Sequence, residues 1–202
     1  MRLGLNVKVD GTAGAGVLQR IRKGLEKRGD LNQRIAGDAE GLTRAYLERI
    51  SRTRHATAQR LGARPTGHLA KAARRVESTA DDQEAAVLIP ADTGLRRAFV
   101  GFDNIVPRNG SKYLTIPAHP LTYGRRAGEF PDDSLDFAMF GGRHRALIFA
   151  KGPNKGKVAY WLKKKVSIPQ DRSLLPSDDA YLKLAARSAV AYIEQLEKGG
   201  PA

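Results

Sequence analysis

The side chains in this sequence that remain as metal ligands are four histidines, His55, His68, His119 and His144, and the carboxylates. There is no cysteine, which removes thiolate metal sites, Fe–S clusters, disulfides and cysteine nucleophiles. No two histidines stand four apart on a helix with a glutamate between them, so each is expected to be a surface or packing residue. The acidic doublets Asp81-Asp82, Asp132-Asp133 and Asp178-Asp179 fall where turns or a helix start are expected. Capping and turn hydrogen bonds account for them better than a paired acid/base site does. The run Gly11-Thr12-Ala13-Gly14-Ala15-Gly16 precedes a helix, as a phosphate cradle would, but lacks the Gly-Lys-Ser/Thr ending and a preceding strand; it reads as a flexible entry to the first helix. No Gly-x-Ser-x-Gly elbow is present. The sequence therefore nominates no catalytic, cofactor-binding or metal-ligating residue, and a non-enzymatic protein is expected. A hydrolase with an unrecognised site is the residual alternative.

Charge is the stronger signal. The chain carries 35 Lys and Arg against 21 Asp and Glu, a net +14 that favours acidic partners, nucleic acid first among them. The excess is spread along the chain rather than collected in a tail, so a disordered basic arm is not expected. The nearest approach to a stripe is Arg44, Arg49, Arg52, Arg54 and Arg60, and the densest run is Lys163-Lys164-Lys165. Lys163, Lys165 and Arg52 are the candidate DNA-facing residues; a merely solvated basic surface is the other reading. Aromatics that could interleave with these cations are limited to Phe149, Tyr160 and Trp161, and Tyr160 should face the core.

The elements that would position these residues divide into two textures. Val17, Leu18, Ile21 and Leu25 have helical spacing. Leu31, Ile35, Ala39, Leu42, Tyr46 and Ile50 then line one face of a longer helix reaching roughly to Leu61, on the order of 45 Å if continuous. The arginine-rich side of that helix should stay in water. Gly62-Ala63-Arg64-Pro65 stops it, because glycine suits a left-handed cap and proline cannot continue the helix. This divides the chain into a helical segment, 1–62, and a second region, 63–198. In the second region up to seven short strands are expected between Arg74 and Ile168, with a closing helix over 177–198 capped by Ser177. Val158–Ile168 reads as one strand, with Val158, Tyr160 and Leu162 on one face and Ala159, Trp161 and Lys163 on the other. Lys164 breaks the apolar face, either at the edge of the core with its head in water or buried and paired. The fold class is α+β: a mostly antiparallel sheet core with long N-terminal helices and a C-terminal helix. No apolar run approaches a membrane span or a signal-peptide core, so a soluble, cytoplasmically made protein with no membrane partner is expected.

Three stretches carry a resemblance. Tyr113-Leu114-Thr115-Ile116-Pro117-Ala118, then Tyr123-Gly124-Arg125-Arg126, then Leu162-Lys163-Lys164-Lys165-Val166-Ser167-Ile168-Pro169 together resemble the phage virion-morphogenesis family of tail-completion, head–tail joining and neck proteins. Arg64-Pro65-Thr66-Gly67-His68-Leu69 resembles the Pro-x-x-Gly-x-Leu turn of related neck proteins, and the match in order of elements spans roughly residues 60–198. The resemblance implies a structural virion subunit that completes or terminates the tail and joins it to the head. It further implies a homo-oligomeric ring with a hexamer favoured, tail-tube and head-connector proteins as partners, and DNA passing non-specifically through the lumen. The location would be the virion, after synthesis in the host cytoplasm. A basic nucleic-acid-binding protein acting alone is the alternative.

Residues 118–135 are expected to form the assembly contact. Pro120, Gly124, Gly128 and Pro131 exclude a long helix, and the stretch is long for a loop in a compact domain. Tyr123 and Phe130 would be its apolar anchors and Arg125 and Arg126 its charged contacts, mobile until a neighbour orders them. A surface loop without such a role is the plainer reading.

Overall fold

The computed structural model describes residues 15–26, 28–108 and 110–198. Most of the glycine-rich run Gly11–Gly16 lies outside them. The α+β expectation holds: antiparallel pairing throughout, a long helix near the N-terminus and a helix at the C-terminus. The helices are α1 (Ala15–Glu26), α2 (Gly29–Thr53), α3 (Ala56–Leu61), α4 (His68–Ala73) and α5 (Asp178–Glu197). The strands are β1 (Glu77–Ala80), β2 (Ala85–Leu88), β3 (Phe102–Ile105), β4 (Leu114–Pro117), β5 (Leu135–Phe140), β6 (His144–Phe149), β7 (Val158–Lys163) and β8 (Val166–Ile168).

Two compact units interleave along the chain. Among the described residues, those up to Tyr46, Arg75–Pro90 and those from Pro176 onward form the first; Leu47–Arg74 and Ala91–Leu175 form the second. The division between these units does not fall at residue 62, which lies within the second; what the structure has there is a helix end, where Gly62 takes the left-handed conformation at φ 65° and caps α3.

In the first unit α1 packs on α5. The guanidinium of Arg20 donates to the Leu196 and Glu197 carbonyls at 3.3 and 3.2 Å, meeting acceptors that the end of a helix leaves open. Asp82 accepts from the Gly29 N–H at 2.9 Å, at the start of α2. Asp81 accepts from Gln83 N and Glu84 N, closing the β1–β2 turn, and those two bonds hold its carboxyl below the usual range. The turn and capping roles expected of this doublet are therefore filled. Ser177 caps α5 by accepting from Ala180 N at 3.3 Å.

The buried stripe of α2 differs from the expected one. Ala36, Ala39, Thr43, Leu47 and Ile50 are buried, whereas Leu31, Ile35, Leu42 and Tyr46 flank them half-buried. The stripe is rotated by about one residue because Thr43, polar and passed over by a hydrophobic reading, satisfies itself inside. Its hydroxyl donates to the Ala39 carbonyl at 2.7 Å and accepts from the Tyr181 hydroxyl at 2.7 Å. Nor does the helix run unbroken to Leu61. It breaks at Arg54 and His55, where His55 leaves helical geometry (ψ 26°) and Arg54 turns its guanidinium to Ser173 and Asp171. The arginine face is correspondingly not all free solvent: Arg44 pairs with Glu40 at 2.7 Å and donates to the Val76 carbonyl. On α5, Leu182 is exposed, and Ser188, Tyr192 and Leu196 form the buried line.

In the second unit the main sheet has the order β4-β7-β6-β5, and β3 pairs with β8 separately. The strand expected over 158–168 is thus two strands. β7 ends at Lys163 paired with Leu114 of β4, and β8 resumes at Val166 paired with Ile105 of β3. Lys164 and Lys165 occupy the crossing between the two ladders and are exposed, which settles the exception at Lys164 in favour of a solvated head. A short helix, α4, which the sequence reading did not single out, precedes the strand region. Its sequence, His-Leu-Ala-Lys-Ala-Ala, is made largely of strong helix formers.

The core of this unit is Phe149, Ala159 and Tyr160, with Phe130, Ala127, Leu135 and Leu147 packed against it. Within residues 118–135, Thr122, Ala127, Phe130 and Leu135 thus reach the core, while the rest of the stretch is mostly exposed. Thr122 is fully buried, its hydroxyl within 2.8–2.9 Å of the His119 and Ala159 carbonyls. Phe130 meets Phe149 and Tyr160 edge to face at 6.3 and 6.2 Å between ring centroids.

Candidate functional site

A concentration of cations without ion-pair partners among the described residues lies at one end of the four-stranded sheet. Two local devices put it there. The β5–β6 hairpin turns through Gly141 and Gly142, both at positive φ (56° and 67°), conformations that glycine adopts without a Cβ penalty. This brings Arg143 to the tip and feeds His144 and Arg145 into β6. β7 runs antiparallel beside β6, with Arg145 opposite Leu162 and Ala146 opposite Trp161, and it ends where the chain leaves the sheet at Lys163-Lys164. Strand ends from two distant sequence stretches thus converge.

Between them lies a cleft of about 170 Å³ bordered by Arg143, Arg145, Lys163 and Lys164, with His144 and Trp161 in its wall. Among the described residues no carboxylate is within ion-pairing distance of these four cations. Tyr113, preceding β4, closes one side, and the Arg145 guanidinium stands 5.6 Å from its ring centroid. Trp161 is 37% exposed and is braced edge-on by Phe140 at 6.0 Å and His144 at 6.5 Å. Like charges gathered without counterions repel one another, and a bound anion would relieve that repulsion.

A second feature of the same sheet is apolar. β5 is an edge strand, and Phe137, Met139 and Phe140 are respectively 56%, 52% and 41% exposed on it. A hydrophobic edge strand offers both unpaired backbone groups and apolar surface to another chain.

The residues singled out by sequence are dispersed. Lys163 borders the cleft; Lys165 lies past the break in the ladder and Arg52 lies on α2, and neither lines it. Phe130 faces the core. The Arg125 guanidinium lies 4.1 Å from the Phe130 ring centroid and donates to the Glu129 carbonyl at 3.0 Å, so it covers its own segment, while Arg126 is exposed. Tyr123 is half-buried and lines a small recess with Ser51, Arg54, His55, Thr66 and His68. In that recess burial holds His68 below the ordinary histidine range, with the proximity of His55 adding to the effect. The sequence reading missed Arg143, Arg145 and Tyr113. The signal was the run Arg143-His144-Arg145 directly after a Gly-Gly turn, but only strand pairing brings it to Lys163.

Among the described residues no cluster of three or more His or carboxylate side chains could hold a metal ion, and no helix is long and apolar enough to cross a membrane. Comparison of the chain with protein-family models, with curated proteins and with solved structures returned no match.

Proposed function

We propose that this chain is a structural subunit of a phage virion that assembles into a ring, completes or terminates the tail, and joins it to the head. The family named by this reading comes from the resemblance of residues 60–198. The structural observation that supports self-assembly is the sheet itself. In an antiparallel sheet of four strands the two edges, β4 and β5, run antiparallel to one another. A neighbour placed head to tail in the same orientation would therefore set its β4 antiparallel to this β5, continuing the ladder the sheet already uses. Heterologous contacts of this kind close into rings when the rotation between subunits permits. The exposed Phe137 and Met139 on β5 supply apolar area for the same contact.

The test is mass by light scattering, with negative-stain imaging, for the wild type and for Phe137→Lys. The wild type should form a closed multimer, alone or with tail-tube or connector proteins, and Phe137→Lys should remain folded but fail to assemble. A chain that stays monomeric under all these conditions overturns the reading and favours a nucleic-acid-binding protein that acts alone.

A further inference from the structure

We infer that the cleft at the end of the β4-β7-β6-β5 sheet binds a single strand of nucleic acid, with phosphodiester groups on Arg143, Arg145, Lys163 and Lys164 and a base against Trp161. This goes beyond the assembly reading and does not rest on it. Three observations carry it. Four permanent cations from two strand ends border one cleft, and among the described residues no carboxylate lies within ion-pairing distance of them. The volume, about 170 Å³, admits a phosphate and part of its sugar but not a whole folded ligand, which fits a strand that continues beyond the cleft at both ends. An exposed indole, in T-shaped contact with Phe140 and His144, lines the same cleft as those cations, and stacking on an aromatic ring beside a cationic groove is how sequence-tolerant single-strand binding is built. A duplex keeps its bases in the stack and could offer only phosphates. An acidic peptide would satisfy the charges and leave the indole unused.

Trp161 is the only tryptophan in the chain, so its fluorescence reports on this cleft alone. The full-length protein is titrated with an oligothymidylate of about twelve nucleotides, with a duplex of equal length and with a poly-glutamate peptide, following Trp161 emission and the anisotropy of a labelled strand. The expected result is saturable quenching by the oligothymidylate, stronger than with either alternative. In Arg143→Gln/Lys163→Gln the slope of log affinity against log salt should fall by about 1.4, two phosphate contacts at roughly 0.7 each. Arg52→Gln/Lys165→Gln, which alters neither cleft residue, should bind as the wild type does. Trp161→Leu, which keeps an apolar side chain on β7, should weaken the oligothymidylate without changing the salt slope. Binding with no change in Trp161 emission, equal loss in the two double variants, or equal quenching by the duplex or by poly-glutamate overturns the proposal. Because quenching of the wild type is itself decisive, a variant that fails to fold does not leave the question open. Ring formation is measured separately, so either conclusion can fail alone.

Discussion

The hydroxyl of Tyr160 donates to the backbone carbonyl of Arg125 at 2.9 Å. Tyr160 is a fully buried residue of β7 and Arg125 lies in the 118–135 segment, so this bond fastens that segment to the sheet. Phe130 adds a second fastening, its ring edge to face with those of Tyr160 and Phe149. Burial also raises the Tyr160 hydroxyl above its ordinary range, so the group stays protonated and able to donate across the physiological span.

Removing each fastening should therefore cost stability to a different degree. Tyr160→Phe deletes one hydrogen bond and leaves the Arg125 carbonyl to find another donor, for a loss of about 0.5–1.5 kcal/mol. Phe130→Ala removes most of an apolar side chain from the cluster and should cost about 1.5–3 kcal/mol. Urea unfolding of the two variants checks the order; a larger loss in Tyr160→Phe would show that the aromatic packing is not the main fastening.

On α2 the rotated stripe makes Leu47 the position to test, since its side chain is 0% exposed. Leu47→Ala should lose about 2–5 kcal/mol. Arg52→Asp, on the exposed side, should change stability by no more than about 0.5 kcal/mol. Leu42→Ala should fall between them, because Leu42 is only half-buried. Equal losses at Leu42 and Leu47 in thermal melts would restore the face expected from sequence.

His68 carries a pH dependence whose sign follows from its environment. Its folded-state pKa lies below the ordinary 6.5, so the unfolded chain binds the proton more readily. The contribution to stability is complete above the unfolded value and is lost as pH falls from there through the lowered folded value. Between about pH 7.5 and about pH 5 the wild type should lose more thermal stability than His68→Gln, which cannot take up that proton. Parallel pH profiles would remove His68 from the account.

Tyr192 offers a stabilising substitution. Its ring is buried, and among the described residues its hydroxyl has no hydrogen-bond partner. A buried donor without an acceptor is a cost that phenylalanine does not incur, so Tyr192→Phe should be neutral or more stable by up to about 1 kcal/mol. A clear destabilisation measured by calorimetry would mean that an ordered water satisfies the hydroxyl.

What the sequence determined by itself are the features set by neighbours in the chain. The helical stretches, the left-handed stop at Gly62, the Ser177 cap, the Asp81 turn and the inward face of Tyr160 all depend on interactions a few residues apart, where propensity and capping decide. The tertiary structure decided what depends on distant partners. The stripe of α2 shifts by a residue because the Thr43 hydroxyl finds Tyr181, 138 positions away. Residues 118–135 look unable to bury themselves until Tyr160 and Phe149 supply the surface for Phe130. The strand expected over 158–168 breaks at Lys164-Lys165 because β4 and β3, two different partners, claim its two halves. The cleft follows from the same cause. Arg145 lies beside Leu162, and so near Lys163, only because β6 and β7 are paired in one register, and the free energy that selects a register comes from the whole buried face of the sheet rather than from any local run of residues.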